Sequence, residues 1–423
     1  MRRGSTGPIS STDGTILNII RLFVRQVFFP FLRMLVRAAL MPGLIIGDWI
    51  SSYRLARQGD VVSIEQFSDA ESGTFCVFHL YQRYTLPENV VHAVELLAEL
   101  GVRVVAVSNL PVPPSELERL KPHLHTFIQR RNFGRDFGGY RRGVLHVLDK
   151  HAPERLMLLN DSIFYARRGL REFFTEMARG NGFIGASENH EISHHIGSYA
   201  LSFGPEVISD PRFRKYWEDY RSTEIRPRVI WQGEAALSKL VEQTIKVRPR
   251  VIYSLQRLDR ALNNASWRDL AVSASQMPAN YHGQNPIRTL LREASKPVRD
   301  ALPVSRATLL ESASLTVPVS PDDLVQDLTS QSRRELQRDL LDYVFQGSQI
   351  HWGALLLTQY LEMPIIKLDL VLRSIYGLGE LDSFAPYLTE EEFAEFHALV
   401  TARGEPMTHG TLKQKLMMMT GLM

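Results

Sequence analysis

Val102-Arg103-Val104-Val105-Ala106-Val107-Ser108-Asn109 is a valine-rich run without polar alternation. A strand patterned this way is covered on both faces, as strands of parallel sheets are. The same grammar repeats on either side of it. Phe75–Tyr81 is an apolar strand-like run. Pro87 opens a helical stretch to about Leu100, which Gly101 closes. Pro113–Leu120 reads as a short helix, Thr126–Arg130 as a weaker strand and Tyr140–Asp149 as a helix. Arg155–Leu159 is a strand that runs straight into Asn160-Asp161-Ser162. Phe183–Ala186 and Ser198–Phe203 read as strands, and Leu170–Ala178, Phe213–Tyr220 and Glu234–Glu242 as helices. Such alternation over residues 61–250 predicts an α/β domain with a mainly parallel sheet.

The flanks differ. Residues 251–320 are rich in Ser, Asn, Pro and Arg with weak periodicity, which reads as a linker or insertion. Residues 321–423 read as a helical carboxyl-terminal region. Residues 1–60 hold many arginines and only three acids, Asp13, Asp48 and Asp60. From Ile16 to Ile50 the chain is mostly apolar, interrupted by Arg21, Arg25, Arg33 and Arg37 and broken by Pro30 and Pro42. Its longest uncharged run, Ala38 to Gly47, is about half of the roughly 20 residues a spanning helix needs. No small-residue cleavage site follows, so a signal peptide is a poor reading. Arginines four apart on an apolar helix predict a segment lying on anionic lipid. Two core helices with snorkelling arginines are the plainer alternative.

Composition narrows the function. A net charge of +3 argues against nonspecific nucleic-acid binding. The single cysteine, Cys76, sits in the apolar run Thr74–Phe78, so disulfides and Cys₂ or Cys₄ zinc sites are excluded. A reducing, cytoplasmic compartment is expected.

Ligands of open α/β sheets gather beyond the carboxyl ends of the strands, so polar strand tips come first. Arg131-Asn132-Phe133-Gly134-Arg135-Asp136-Phe137-Gly138-Gly139-Tyr140 lies between a strand and its helix. Its glycines allow close backbone approach. The helix amides, with Arg131 and Arg135, suit a diphosphate. Asp136 suits a sugar hydroxyl, or simply caps the helix. Asn160-Asp161-Ser162 suits a sugar hydroxyl or a divalent cation, or is an Asx turn. Asp161 is its only carboxylate, so a firmly held Mg²⁺ or Mn²⁺ is less expected than at a two-Asp site.

Glu188-Asn189-His190-Glu191-Ile192-Ser193-His194-His195 contains the zinc-protease string H-E-x-x-H. That motif requires a helix, with both histidines on one face. Asn189, Ser193, Gly197 and strand-like flanks disfavour one here, even with Glu218 offered as third ligand. A sugar-acceptor loop fits better, and a zinc hydrolase is the remote alternative. Asp136-Phe137-Gly138 spells a kinase signature, but its partner motifs are missing. Trp231-Gln232-Gly233-Glu234 reads as a helix start, where a carboxylate has a lowered pKa and serves as a general base.

Together these motifs resemble the bacterial rhamnan synthesis F family. Asn132-x-Gly134-Arg135-Asp136 with Tyr140, Leu159–Ser162, His195-x-x-Ser198-Tyr199 and Gly233-Glu234-x-x-Leu237-Ser238 occur in the family's order. His351-Trp352 and Met363-Pro364-Ile365-Ile366-Lys367 are similar to its closing segment. The resemblance covers residues 74–245 and, more loosely, 345–372.

It implies an A-type glycosyltransferase-like fold using a sugar nucleotide in rhamnose-containing polysaccharide or lipopolysaccharide assembly. It implies donor contacts for Asn132, Gly134, Arg135, Asp136, Tyr140, Asn160, Asp161 and Ser162, with Asp161 as the place for Mg²⁺ or Mn²⁺. Glu234 matches the family's base by order, with Glu188 second. His194, His195, Ser198 and Tyr199 are expected at the acceptor. The expected activity is glycosyl transfer, of rhamnose or a related deoxyhexose, to a membrane-linked glycan at the inner face of the plasma membrane. A non-catalytic glycan-binding or assembly protein that kept the fold is the alternative.

Overall fold

The structure is a computed structural model that describes residues 29–82, 84–190, 194–278, 281, 330–345, 347–404, 416–417 and 422. Its strands are β1 (Val61–Gln66), β2 (Ser72–Leu80), β3 (Arg103–Ser108), β4 (Leu124–Arg130), β5 (Ala152–Asn160) and β6 (Ile163–Tyr165). They continue as β7 (Phe183–Gly185), β8 (Glu188–Asn189), β9 (His195–Ile196), β10 (Ala200–Phe203), β11 (Pro249–Val251) and β12 (Ile365–Lys367). Eight of them form one sheet in the order β1-β4-β3-β2-β5-β10-β7-β11. The central four, β4, β3, β2 and β5, are mutually parallel. β1 lies antiparallel on β4, and β10 runs antiparallel between β5 and β7. The α/β expectation with a mainly parallel sheet is met; β1, β6, β8, β9, β11 and β12 are additions to the strands expected.

The chain builds outward from β2 through β3 to β4, then returns to place β5 on the other side of β2. Strand order therefore reverses between β2 and β5. That reversal opens a crevice at the strand tips of an open sheet.

Both faces of the sheet are covered, as the unbroken apolar runs require. Cys76, Phe78, Val104, Ala106, Met157 and Leu159 face one apolar cluster, and Phe75, Val77, Val105, Val107, Leu156 and Leu158 the other. Helices α2 (Glu88–Glu99) and α4 (Leu170–Arg179) cover the first face. Helices α3 (Arg135–Lys150) and α5 (Pro211–Asp219) cover the second through Phe137, Tyr140, Val144 and Trp217. Each fully buried side chain of this size contributes about 1.5–3 kcal/mol by leaving water.

Helices α6 (Leu255–Asn264), α7 (Trp267–Gln276), α8 (Ser330–Phe345) and α9 (Ala354–Leu361) extend the first cluster. Ser254 and Ser266 cap α6 and α7. Downstream, β12 pairs antiparallel with β6, setting Lys367 opposite Ile163. The carboxyl-terminal region thus reaches the β5 tip.

The amino-terminal reading needs correction. Helix α1 runs unbroken from Phe29 to Gln58 with Pro42 inside it, so Pro42 does not divide two helices. Its segment Phe31–Leu55 has a mean hydropathy of 1.4, is almost wholly exposed, and is long and apolar enough to cross a membrane by length and composition. The uncharged-run criterion missed this because a few charges are tolerated along such a helix. Asp48 is the exception to the exposure of α1: it is buried and accepts hydrogen bonds from Thr223 Oγ1 and, at 3.0 Å, from the Glu224 amide. The expectations placed on residues 1–28 lie outside the described residues.

Candidate active site

The crevice is assembled from four pieces of chain. At the β2 and β5 tips, His79 pairs with Asn160. Asp161 Oδ2 accepts from the Tyr81 amide at 2.6 Å and from Gln82 Nε2 at 2.8 Å. Asn160 Oδ1 accepts from the Ser162 amide at 3.1 Å and from Ser162 Oγ at 2.6 Å. The Asx turn is therefore present, and it leaves Asn160 Nδ2 facing Asp136 Oδ2 at 3.5 Å.

Asp136 arrives from the β4 tip. Gly134 (φ 87°) and Arg135 (φ 52°) bend the chain through the left-handed region into α3. Buried Arg130 clamps this turn by donating to Asn109 Oδ1 at 2.8 Å and to the Phe133 carbonyl at 2.7 Å. A Cβ on Gly139 would stand 2.2 Å from His79 Cδ2, so only glycine lets α3 approach β2 this closely. Asp136 Oδ1 accepts from the Phe137 amide at 2.9 Å, so Asp136 serves the helix start and also faces the crevice. Arg135 Nε donates to the Glu224 carbonyl at 3.1 Å. Arg131 Nε donates to the Gly59 carbonyl at 3.2 Å.

The third piece is the helical run from Arg226 to Ile245, π-helical over Val229–Ala235. Glu234 lies within it, not at a helix start, and this corrects the sequence reading. Gly233 suggested a boundary, but its role is packing: a Cβ there would meet the Phe137 ring at 2.9 Å. Without a helix N-terminus the expected lowering is absent. Burial raises the Glu234 carboxyl instead, and the Asp136 charge raises it further. Glu234 Oε2 stands 3.7 Å from Nε2 of the buried His195.

The fourth piece, β12, brings Lys367. Its Nζ donates to Ser162 Oγ at 2.9 Å and stands 4.6 Å from the Tyr199 ring centroid. Burial lowers the Lys367 ammonium, while the Asp369, Glu234 and Asp136 carboxylates oppose that shift. Beside it, Asp369 accepts from His351 Nε2 at 2.9 Å and pairs with Arg373.

Asp136, Asn160, Asp161, Ser162, Glu234, His195 and Lys367 thus converge. Ser198 and Tyr199 are buried behind them: the Ser198 carbonyl accepts from Tyr140 Oη at 3.0 Å, and Tyr199 Oη bonds Ser187 Oγ. Asn132 Nδ2 donates to Tyr81 Oη at 3.3 Å. Glu188 and His194 face each other at 3.3 Å on the outer side of β9. Glu218 pairs with Arg214 at 2.8 Å and takes no part in the histidine loop.

Next to Asp161, a cleft of about 690 Å³ opens beyond β2, lined in part by Tyr81, Gln82, Tyr84, Leu110 and Arg119. The sequence reading passed over Tyr81 and Gln82, although the strand-tip rule applied to β2 finds them. It also left Lys367 without a role. Apart from the position of Lys367 in the closing segment, no sequence signal ties that residue to Ser162.

A doubly covered, largely parallel sheet with acids and amines at its order reversal defines an α/β ligand-binding domain of the open-sheet class. Residues 104–248 match the family model described as Rhamnan synthesis protein F. Over that segment the chain is similar to the rhamnan synthesis F family, the resemblance its motifs carry. Uncharacterized protein y4gN of Sinorhizobium fredii (strain NBRC 101917 / NGR234) is 33% identical over 175 residues, which is 40% of this chain. The match spans 45% of that relative's length.

Two solved structures are also similar. One, from Desulfovibrio desulfuricans G20, is assigned as a nucleotide-diphospho-sugar transferase: 12% identity, TM-score 0.23, covering 46% of this chain and 90% of that one. The other is the mannosyltransferase PcManGT of Pyrobaculum calidifontis with GDP-Man and Mn²⁺: 11% identity, TM-score 0.23, covering 89% of this chain and 98% of that one. At these scores the likeness is too slight to bear on the site.

Proposed function

We propose that the chain is an A-type glycosyltransferase of surface-polysaccharide assembly, moving a sugar from a nucleotide donor to a glycan acceptor. One observation carries this reading: Asp136, Asn160-Asp161, Glu234 and Lys367 meet where strand order reverses. The nucleoside enters the cleft against Tyr81 and Tyr84. The diphosphate lies over the β5 tip, where Lys367 and the positive end of α3 balance the charge that grows as it leaves. Asp136 and Asn160 hold sugar hydroxyls. Glu234 takes the proton of the attacking acceptor hydroxyl. His195 positions Glu234, and its raised pKa makes this carboxylate a stronger base than an exposed one. Glu188 faces His190 and His194 instead, so Glu234 is the preferred base.

Within the crevice, a divalent cation fits at Asp161. Asp161 Oδ2 takes two N–H donors, and this carboxylate would hold a Mg²⁺ or Mn²⁺, which often needs only one or two carboxylates beside substrate phosphates. Such an ion would neutralise diphosphate charge.

Rhamnose or a related deoxyhexose is the proposed sugar, on the family's association with rhamnan synthesis. A membrane-linked glycan is the proposed acceptor, because α1 exposes Phe31, Met34, Ile46, Trp49 and Tyr53 together with basic Arg33 and Arg37. A helix exposing apolar and basic side chains in this way suits the cytoplasmic leaflet, with its anionic lipid.

Thermal-shift titration with dTDP-, UDP- and GDP-sugars, followed by transfer assays, tests the reading. One donor should raise the midpoint and be turned over, with Asp136→Ala and Asp161→Ala weakening both. Turnover unchanged in Asp136→Ala, Asp161→Ala and Glu234→Gln overturns the site. Donor or glycan binding without turnover in wild type favours the glycan-binding alternative.

A further inference from the structure

We infer that Glu188, His190 and His194 form a binding site for a divalent transition metal, zinc in the first place, on the outer side of the β8–β9 ribbon. The donor atoms of these three side chains lie within 4.8 Å of one another. Glu188 Oε2 stands 3.3 Å from His194 Nε2 and 3.6 Å from His190 Nε2. A tetrahedral ion with bonds of about 2.1 Å has ligand atoms roughly 3.4 Å apart, so the two edges are already close to that spacing. Two imidazoles and one carboxylate are a ligand set that suits zinc.

The site is partly prebuilt. Glu188 Oε1 is held by the Leu255 amide at 3.1 Å, which turns Oε2 toward the histidines. The Glu188 amide donates to Gln349 Oε1 at 2.9 Å, and Gln349, itself buried, donates to the Tyr253 carbonyl at 2.7 Å. On the far side of the His194 ring, Nδ1 stands 3.6 Å from Glu242 Oε1. A carboxylate behind a ligating imidazole fixes its tautomer and raises its basicity, and Glu242 is placed for that duty. His190 and His194 are 43% and 37% exposed, so an ion has access from solvent.

The H-E-x-x-H string therefore acquires a meaning other than proteolysis. Its flanks pair as an antiparallel ribbon, with Glu188 opposite Ile196 and Asn189 opposite His195, and not as a helix. The third ligand precedes the string. Zinc there would hold Glu188, His190 and His194 together beside the helical run that carries Glu242. It would fix β9, whose next residue, His195, faces Glu234. The site stands independently of the transferase reading.

The test uses the full chain, stripped with chelator, dialysed and titrated with Zn²⁺ alone. One equivalent should bind. Co²⁺ should give the intense visible absorption of a four-coordinate site. His190→Ala and His194→Ala should bind less than a tenth of an equivalent while keeping the wild-type circular dichroism. Glu242→Gln should keep the stoichiometry and lose about 10- to 100-fold in affinity. Asp136→Ala should lose donor binding and keep the zinc, which separates this proposal from the transferase one. Trace metal only in wild type, or an undiminished equivalent in His194→Ala, overturns the inference.

Discussion

His194 and His195 are neighbours in the chain and opposites in the fold. His195 points inward, almost without exposure, to Glu234 in a crevice shared with Asp136 and Lys367. His194 points outward to Glu188 and Glu242 at a solvated rim. The inner groups are governed by burial, which raises the Glu234 carboxyl and lowers the Lys367 ammonium. The outer groups are governed by geometry, three donor atoms at ligand spacing. Adjacent imidazoles are thus set in two environments, the buried one for the proposed proton transfer and the solvated one for the proposed ligation.

The sharpest way to break that contrast is Glu234→Gln. Transfer should fall by about 10²- to 10⁴-fold, the usual worth of a general base, with donor affinity unchanged by titration. The wild-type acid limb of kcat should lie above the ordinary glutamate range of about 4.5, and Gln should abolish it. The sign for stability is opposite. A raised folded-state pKa means that the fold favours the neutral carboxyl, a contribution present in acid and lost as pH rises through that value. Gln is neutral throughout, so the variant should melt about 2 °C higher than wild type at pH 7.

Lys367→Met comes next. It removes a charged donor held at 2.9 Å from Ser162 Oγ and should weaken donor binding by about 10- to 100-fold in the same titration. Gly233→Ala should cost about 1–3 kcal/mol in chemical denaturation, because the new methyl meets the Phe137 ring, and transfer should fall with it as Glu234 shifts. On α1, Trp49→Glu should lower partitioning to anionic vesicles without moving kcat on a soluble acceptor. The smallest effect is expected across β9: His194→Ala should leave donor affinity within about twofold of wild type, since only His195 faces the inner crevice.

Much of this was legible in the sequence. The runs around Val104, Phe75 and Leu158 named the central strands because both faces are buried and no polar alternation intrudes. The β4 and β5 tips named Asp136 and Asp161 because strand tips of an open sheet share one edge. What escaped had physical reasons. Gly233 looked like a boundary because glycine disfavours helix, yet it is demanded by an aromatic ring from α3. Lys367 enters through a three-residue strand, too short for periodicity to reveal. Tyr81 and Gln82 follow β2, and neither carries a charge that would mark a strand tip. Arg131, expected at a diphosphate, turns to the Gly59 carbonyl, while the buried Arg130 beside it braces the turn into α3.

The buried contact of Asp48 reaches further than stability. Asp48 binds Thr223 and Glu224, and Glu224 in turn accepts from the Gly134 amide at the mouth of the donor turn. Helix α1, roughly 45 Å long at 1.5 Å per residue, is therefore bolted to the sheet domain, not slung from it. On the proposed membrane reading such a joint works as a ruler: it would set the height at which the crevice meets its substrates, and lengthening the chain between α1 and β1 would not change that height while the Asp48 contact holds.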